Sequence, residues 1–336
     1  MTEHRQIVIA SLPSGRLSAR DYEVRSVPTP EPGEGDVLVR TLALTIGAGQ
    51  RAGLQGSAGY AGAPVTGVVM PGTGVGLVEA SRVEGVGPGD VVVGPIGWQE
   101  RAVLAGADVR VVDGAVDPAL HLSLYGTNGL TAYFGLLDVG RPVAGETVVV
   151  SAAGGSVGHL VGQLARRLGC RVVGVTGSEA KGEVLTGRLG VDAAVNHRAP
   201  TFRDDLKAAT PDGIGVYFDN TGGDVLGAAL RRMRPHGRIV CCGVVSQYDT
   251  DDPAPGPRGI PGLLVNNRVR MEGFLVFDYA DRYDEARAQL RAWHDAGEIQ
   301  SLHDEVRGLE AAPEAFVDLL AGGNVGTRIV RIDGAS

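Results

Sequence analysis

The spacing of apolar positions divides the chain into two regimes. From Gln6 to about Val116, short valine-rich runs such as "DYEVRSVPTPEPGEGDVLVRTLAL", "VMPGTGVGLVEASRV" and "GVGPGDVVVGPIGW" are separated by Pro and Gly turns. This spacing predicts a small antiparallel barrel or sandwich. From about Leu122 the period changes, and "ETVVVSA", "CRVVGVTG", "DAAVNH", "GVYFDN", "RIVCCGVV" and "RMEGFLVF" read as strands. Each but the last is followed by a stretch that can hold a helix or long connection. That alternation predicts a parallel, doubly wound sheet of the α/β class.

The sharpest local signal is "VVVSAAGGSVGHLVGQLARRLG", Val148 to Gly169. Val148, Val149 and Val150 run together with no polar alternate, as a strand buried on both faces does. After the glycines, Val157, Leu160, Val161, Leu164, Ala165 and Leu168 mark one face of a 3.6-residue period, with Arg166 and Arg167 outside it. The turn between them is G-x-G-x-x-G with Ala153 in the first place. Gly155 lets backbone approach a pyrophosphate, Gly158 lets helix pack on strand, and the helix N-terminus offers N–H groups. The alternative is a purely structural turn, but strand, turn and helix stand in the order that dinucleotide binding requires.

The next strand, "CRVVGVTG", bears on which dinucleotide is held. An NAD site usually places an Asp or Glu at its end, whereas NADP needs room and a cation for the 2′-phosphate. Here Gly177 and Ser178 end the strand and Lys181 follows, which favours NADP(H). Glu179 is the counter-signal, unless its carboxylate faces water.

Composition narrows the function class. The 336 residues suggest two domains, and 43% hydrophobic content with 52 glycines is globular. A formal charge of −8 leaves no basic face for nucleic acid or anionic lipid, so a small-molecule partner is expected. Only Cys170, Cys241 and Cys242 occur, which suits a reducing compartment rather than a disulfide framework. The amino terminus carries no signal pattern and no apolar run reaches about 18 residues. The expected location is cytoplasmic. No four-cysteine cluster is available, Cys241 and Cys242 would point to opposite faces of a strand, and the seven histidines are scattered, so no metal site is expected.

The segments "GLTAYFGLLDVG", "SAAGGSVG", "VYFDNTGGDVL", "SQYD", "RMEGFLVFDYADRY" and "GWQE" resemble the zinc-independent medium-chain dehydrogenase/reductases. The branch they are most similar to holds the prostaglandin reductases, leukotriene dehydrogenases and NADP-dependent alkenal reductases. The resemblance implies a Rossmann domain inserted in a GroES-like β-barrel catalytic domain. The expected division is 1–122 and 301–336 for the catalytic domain, with 123–300 for the cofactor domain. It also implies a homodimer joined through the cofactor domain, and hydride transfer from NADPH to the β-carbon of an α,β-unsaturated ketone or aldehyde. A quinone or carbonyl reductase on the same scaffold, or a non-enzymatic NADPH-binding protein, are the alternatives.

By the same resemblance Gly155, Ser156, Val157 and Gly158 match the pyrophosphate turn, and Lys181 matches the 2′-phosphate lysine. His197 stands where relatives often carry Tyr, and it is assigned to the adenosine phosphate. Asn220 matches a cofactor-contacting asparagine at a strand end. Cys242, Gly243, Val244, Val245, Ser246 and Tyr248 are expected beside the nicotinamide with Phe274, Leu275 and Val276, and Asn324 matches a further contact. Conjugate hydride addition builds charge on the carbonyl oxygen, so a neutral donor there lowers the barrier. Tyr248, whose phenol ordinarily keeps its proton at neutral pH, is the candidate; the other reading is that it only packs on the cofactor.

One departure concerns the substrate side. Relatives usually carry Asp-Pro-x-x-Arg after the strand "VLVRTLAL", where this chain has "TIGAGQRAGLQGSAGYAGAPV". Thr45 and Ile46 replace the Asp-Pro pair on this reading and Arg51 is shifted. Gly47, Gly49, Gly53 and Gly56 predict a small, mobile loop.

Overall fold

A computed structural model describes residues 2–59, 62–253 and 255–332. The chain forms two compact units. One comprises Met1–Gly126, Asp249–Asp251 and His303–Ser336, and the other Thr127–Tyr248 and Asp252–Leu302.

In the first unit, β1 (Glu3–Ile9) and β2 (Tyr22–Pro28) pair as an antiparallel ribbon. β3 (Asp36–Ile46) leads into a short helix, α1 (Ala48–Leu54). The strands β4 (Gly74–Ser81), β5 (Val91–Gly94), β6 (Arg101–Ala105) and β7 (Arg110–Val112) follow, then α2 (Pro118–Leu122).

The second unit starts with α3 (Thr127–Phe134) and contains six strands: β8 (Thr147–Ser151), β9 (Arg171–Thr176), β10 (Ala193–Asn196), β11 (Ile214–Asp219), β12 (Met233–Cys241) and β13 (Arg270–Gly273). They lie in the order β10-β9-β8-β11-β12-β13, and every neighbouring pair is parallel. Taken in chain order this is 3-2-1-4-5-6, the doubly wound arrangement in which the strand order reverses between the first and fourth strands. Val148, Val149 and Val150 have no exposed surface; burying each contributes about 1.5–3 kcal/mol. Crossover helices include α4 (Gly158–Arg167), α5 (Glu179–Gly187), α6 (Phe202–Ala209), α7 (Gly223–Leu230) and α8 (Ile260–Asn267), and α9 (Tyr283–Asp295) follows the last strand. On α4 the periodic residues Leu160, Val161, Leu164 and Ala165 are buried and Arg166 and Arg167 exposed. Gly158, His159, Gly162 and Gln163 are buried too, and Val157 and Leu168 only half-buried, so the helix is covered on more than the one face its period predicts. Among the described residues no helix is long and apolar enough to cross a membrane.

The chain then supplies the first unit with β14 (His303–Arg307), α10 (Ala312–Ala321) and β15 (Thr327–Arg331). Its larger sheet runs β14-β15-β3-β4-β5-β7, and β6 also pairs with β3. β3 joins β6 over Asp36–Arg40 and β15 over Ala43–Ile46, with two register shifts against β4. Such irregularities bend a strand, and the bend lets a sheet curl toward a barrel. The core of this unit includes Trp98, fully buried and edge-on to Phe316 with ring centres 5.9 Å apart.

Candidate active site

The carboxyl ends of β8 and β11 flank the point where strand order reverses, and ligands of such sheets bind outside that crevice. After β8 the chain turns sharply: Ala152 has φ of 46°, and its carbonyl accepts the Gly155 N–H at 2.9 Å. A Cβ on Gly158 would lie 2.3 Å from the Ala152 oxygen and 2.8 Å from the Ala153 Cα, so the first turn of α4 packs on the strand end only with glycine there. Ser156 and Val157 are half-buried beside it. His159, fully buried, supports the turn. Its Nε2 accepts the Leu302 N–H at 3.1 Å, which puts the proton on Nδ1, and Nδ1 donates to the Gly155 carbonyl at 2.8 Å. The turn and the start of α4 are thereby held tightly against the end of β8.

At the end of β9, Thr176 pairs with Asn196 of β10, and the His197 N–H bonds to the Thr176 carbonyl at 2.9 Å. This register sets His197 and Arg198 level with Gly177. A methyl group on Gly177 would stand 3.2 Å from His197 Nε2 and 3.4 Å from Arg198 Nε. On the other side, Ser178 caps α5, and the Lys181 side chain runs over the glycine turn: a Cβ on Gly154 would meet its Cδ at 3.3 Å. Glu179 is exposed. Arg198 belongs to this group although no motif marks it. His197 is exposed, yet desolvation of its ring and the adjacent Arg198 charge both lower its value from the ordinary range.

The end of β11 is held by a buried carboxylate. Asp219 Oδ1 accepts from the Tyr217 hydroxyl at 2.9 Å, the Thr221 and Gly222 N–H groups at 3.0 and 2.9 Å, and the Ser151 hydroxyl at 3.2 Å. Asn220, also buried, donates its side-chain amide to the Ser151 carbonyl at 2.7 Å. Burial and the Asp219 charge hold the Tyr217 phenol far above its ordinary range, so it serves as a fixed donor.

Residues Cys242 to Ser246 lie along this turn. The N–H groups of Cys242 and Gly243 bond to the Asp219 carbonyl, that of Val245 to Asn220 and that of Ser246 to Thr221, at 2.9 to 3.2 Å. Gly222 has φ of 68° and would crowd Val244 if it carried a Cβ. Tyr248 closes the segment half-buried, its N–H bonded to the Val245 carbonyl. Burial, then the Asp219 carboxylate, push the Cys242 thiol up to about 12 and the Cys241 thiol up to about 11.

Phe274, Leu275 and Val276 follow β13. A Cβ on Gly135 would meet the Phe274 ring at 2.5 Å and Phe218 at 2.8 Å, Val276 is buried, and Leu275 is 41% exposed. Phe274 and Val276 thus pack inward. Asn324 belongs to the first unit, where its side chain donates to the Gly326 carbonyl at 2.7 Å.

Part of the expected mobile glycine loop, Ala48–Leu54, is instead α1, while Gly56 lies beyond it, and Thr45 and Ile46 are the last residues of β3. The segment after the strand is therefore Gly47-Ala48-Gly49-Gln50-Arg51, with arginine in the fifth place that Asp-Pro-x-x-Arg gives it. Gln50 accepts the Gly47 N–H at 2.9 Å, closing the helix start. Arg51 is 1% exposed and bonds to Asp249 Oδ1 at 3.1 Å and the Gly15 carbonyl at 2.6 Å. That long-range anchor overrides the weak helix propensity of the glycines. Tyr60 and Ala61, further along the same stretch, lie outside the described residues.

A doubly wound sheet with a glycine turn at its reversal point, following a bent and mainly antiparallel sheet unit, defines a dinucleotide-binding oxidoreductase scaffold. Family models described as "N-terminal domain of oxidoreductase" and "Zinc-binding dehydrogenase" match residues 5–112 and 156–292. The chain is 37% identical to an NADPH-dependent curcumin reductase of Escherichia coli over 98% of this chain and 97% of that one. It is 36% identical to an NADP+-dependent 2-alkenal reductase of Nicotiana tabacum, over 98% and 97%. The structure of CurA from Vibrio vulnificus in complex with NADPH superposes with a TM-score of 0.94 at 36% identity, covering 98% of this chain and 99% of that one. The chain belongs to the zinc-independent medium-chain dehydrogenase/reductases, in the branch of the alkenal, prostaglandin and curcumin reductases. Among the described residues no group of three or more His, Cys, Asp or Glu could hold a metal ion.

Proposed function

We propose that this protein reduces the carbon–carbon double bond of α,β-unsaturated ketones and aldehydes, with NADP(H) as its cofactor. The observation that carries the reading is a glycine turn at the sheet's reversal point, where only glycine at 158 lets α4 pack on the strand end, with Lys181 lying over Gly154 while Glu179 is exposed. Relatives of nearly full-length similarity are named for NADPH-dependent curcumin reduction and NADP+-dependent 2-alkenal reduction.

When bound, NADPH supplies a hydride for the β-carbon. The turn Gly155–Gly158 and the start of α4 bind the pyrophosphate, and Lys181 and His197 hold the adenosine phosphate. Asn220, the segment from Cys242 to Tyr248 and Phe274, Leu275 and Val276 would orient the nicotinamide end. The Tyr248 hydroxyl donates to the substrate carbonyl oxygen and stabilises its developing charge. The thiols of Cys241 and Cys242 hold their protons too tightly to serve as bases.

The assembly we propose is a homodimer formed by the cofactor unit. β13 is an edge of the six-stranded sheet, and the neighbouring α8 has no buried residue and leaves Val265 73% exposed. Edges and apolar patches of this kind are commonly covered by a second chain. Three free cysteines fit a cytoplasmic location.

The test is NADPH oxidation with a panel of enones, alkenals and quinones, repeated with NADH, with products identified by mass spectrometry. Saturated ketones or aldehydes formed with an NADPH preference support the reading. Quinols, allylic alcohols or binding without turnover refute it.

A further inference from the structure

We propose that Arg198, beside the contact from His197, supplies the second cation of the 2′-phosphate subsite and sets the preference for phosphorylated over unphosphorylated dinucleotide together with Lys181. The inference rests on the NADP(H) reading above. It starts from where the sheet delivers the two side chains. β9 and β10 run in register up to Thr176 and Asn196, and the backbone bond from His197 to Thr176 extends the pairing by one residue. Asn196 Oδ1 then accepts the Arg198 N–H at 3.0 Å, an Asx-type turn that fixes the direction of the chain leaving the strand. The outcome is that the Arg198 guanidinium lies over Gly177, with Nε and Cζ 3.4 and 3.5 Å from where a Cβ would be. Gly177 ends the strand at the place where dinucleotide sheets receive the adenosine ribose. Lys181 reaches the same corner from α5, lying over Gly154.

Charge decides between the two candidates from β10. A phosphate monoester carries about −1.5 to −2 charges at pH 7, and one lysine leaves it incompletely balanced. His197 is exposed, and desolvation of its ring with the neighbouring Arg198 charge lowers its value, so it offers a hydrogen bond rather than a fixed charge. The planar guanidinium of Arg198 can present two N–H groups to one phosphate, the geometry in which arginine binds such groups. The absence of a β-carbon at Gly177 leaves the guanidinium edge and the ribose position in the same space.

The experiment measures binding of 2′,5′-ADP and of 5′-AMP to the full chain by calorimetry, for wild type, Arg198→Ala, Arg198→Lys and Lys181→Ala. Wild type should prefer 2′,5′-ADP. Arg198→Ala should weaken 2′,5′-ADP about tenfold or more while 5′-AMP changes less than about twofold, and Arg198→Lys should recover part of the loss. Combining Arg198→Ala with Lys181→Ala should abolish the preference. An unchanged preference in Arg198→Ala overturns the inference, as do parallel losses for both nucleotides, which would mean that Arg198 stacks on the adenine. A wild type that binds the two equally refutes the NADP(H) reading itself. Arg198 is exposed, so its substitution leaves the core intact, and circular dichroism checks this.

Discussion

Ser151 and Asn220, the residues at the ends of two adjacent parallel strands, hold each other through two hydrogen bonds. The Asn220 N–H donates to Ser151 Oγ at 2.8 Å and the Asn220 side-chain amide to the Ser151 carbonyl at 2.7 Å. They close the sheet where its strand order reverses, so the crevice mouth is set by buried polar contacts. Ser151→Ala leaves the Asn220 N–H without that acceptor and Asp219 without one donor. It should cost about 1–3 kcal/mol, read as a lower urea midpoint, and should weaken NADPH binding. Unchanged stability and affinity would contradict a supporting role for the pair.

Glu146 is the corresponding clamp at the other end of β8. Burial pushes its carboxyl up, but hydrogen bonds from Arg238 and the Val143 N–H, with the charges of Arg238 and Arg234, hold it below the usual carboxylate range. A folded-state value below the unfolded one contributes stability above the unfolded pKa of about 4.3, and that stability is lost as pH falls through the folded value. Glu146→Gln should therefore cost about 1–3 kcal/mol at pH 7. The gap to wild type should narrow in urea titrations run at successively lower pH below about 4. A gap that is constant with pH would mean that shape, not charge, is what the site needs.

The three cysteines, all with thiols pushed up by burial to about 11 or 12, should be sluggish nucleophiles. At pH 8 a thiol with a value near 11 is ionised in about one molecule in a thousand. Iodoacetamide at that pH should modify native protein far more slowly than free glutathione, by intact-mass measurement, and all three sites should react in urea. Native labelling as fast as glutathione would contradict the assigned environments.

Tyr248 is separated from a packing role by its kinetics. If its hydroxyl stabilises developing enolate charge, Tyr248→Phe should lower kcat by about ten- to a thousandfold and leave the NADPH dissociation constant nearly unchanged. Loss of NADPH affinity with kcat retained would make it a cofactor-packing residue.

Much of this architecture is legible in the sequence because it is written in local periods. The valine run, the glycine turn and the helix stand in the expected order over Val148–Arg167, and the same holds for the doubly wound sheet as a whole. What escapes the sequence depends on partners far away in the chain. The stretch after Ile46 reads as a mobile loop because its glycines are local and the Asp249 that fixes Arg51 is 198 residues on. Ser151 and Asp219 are 68 residues apart. Each ends an apolar strand with a polar side chain, a signal that could have marked them. Arg198 is hidden for a different reason: only the β9–β10 register sets it beside Gly177.

The central claim is that hydride reaches the β-carbon of a conjugated carbonyl compound. The most direct test is turnover of an enone with NADPH deuterated at the transferring position of its nicotinamide, followed by mass and NMR analysis of the product. The account predicts a saturated ketone carrying one deuterium on the former β-carbon. Deuterium on the carbonyl carbon of an alcohol would contradict it.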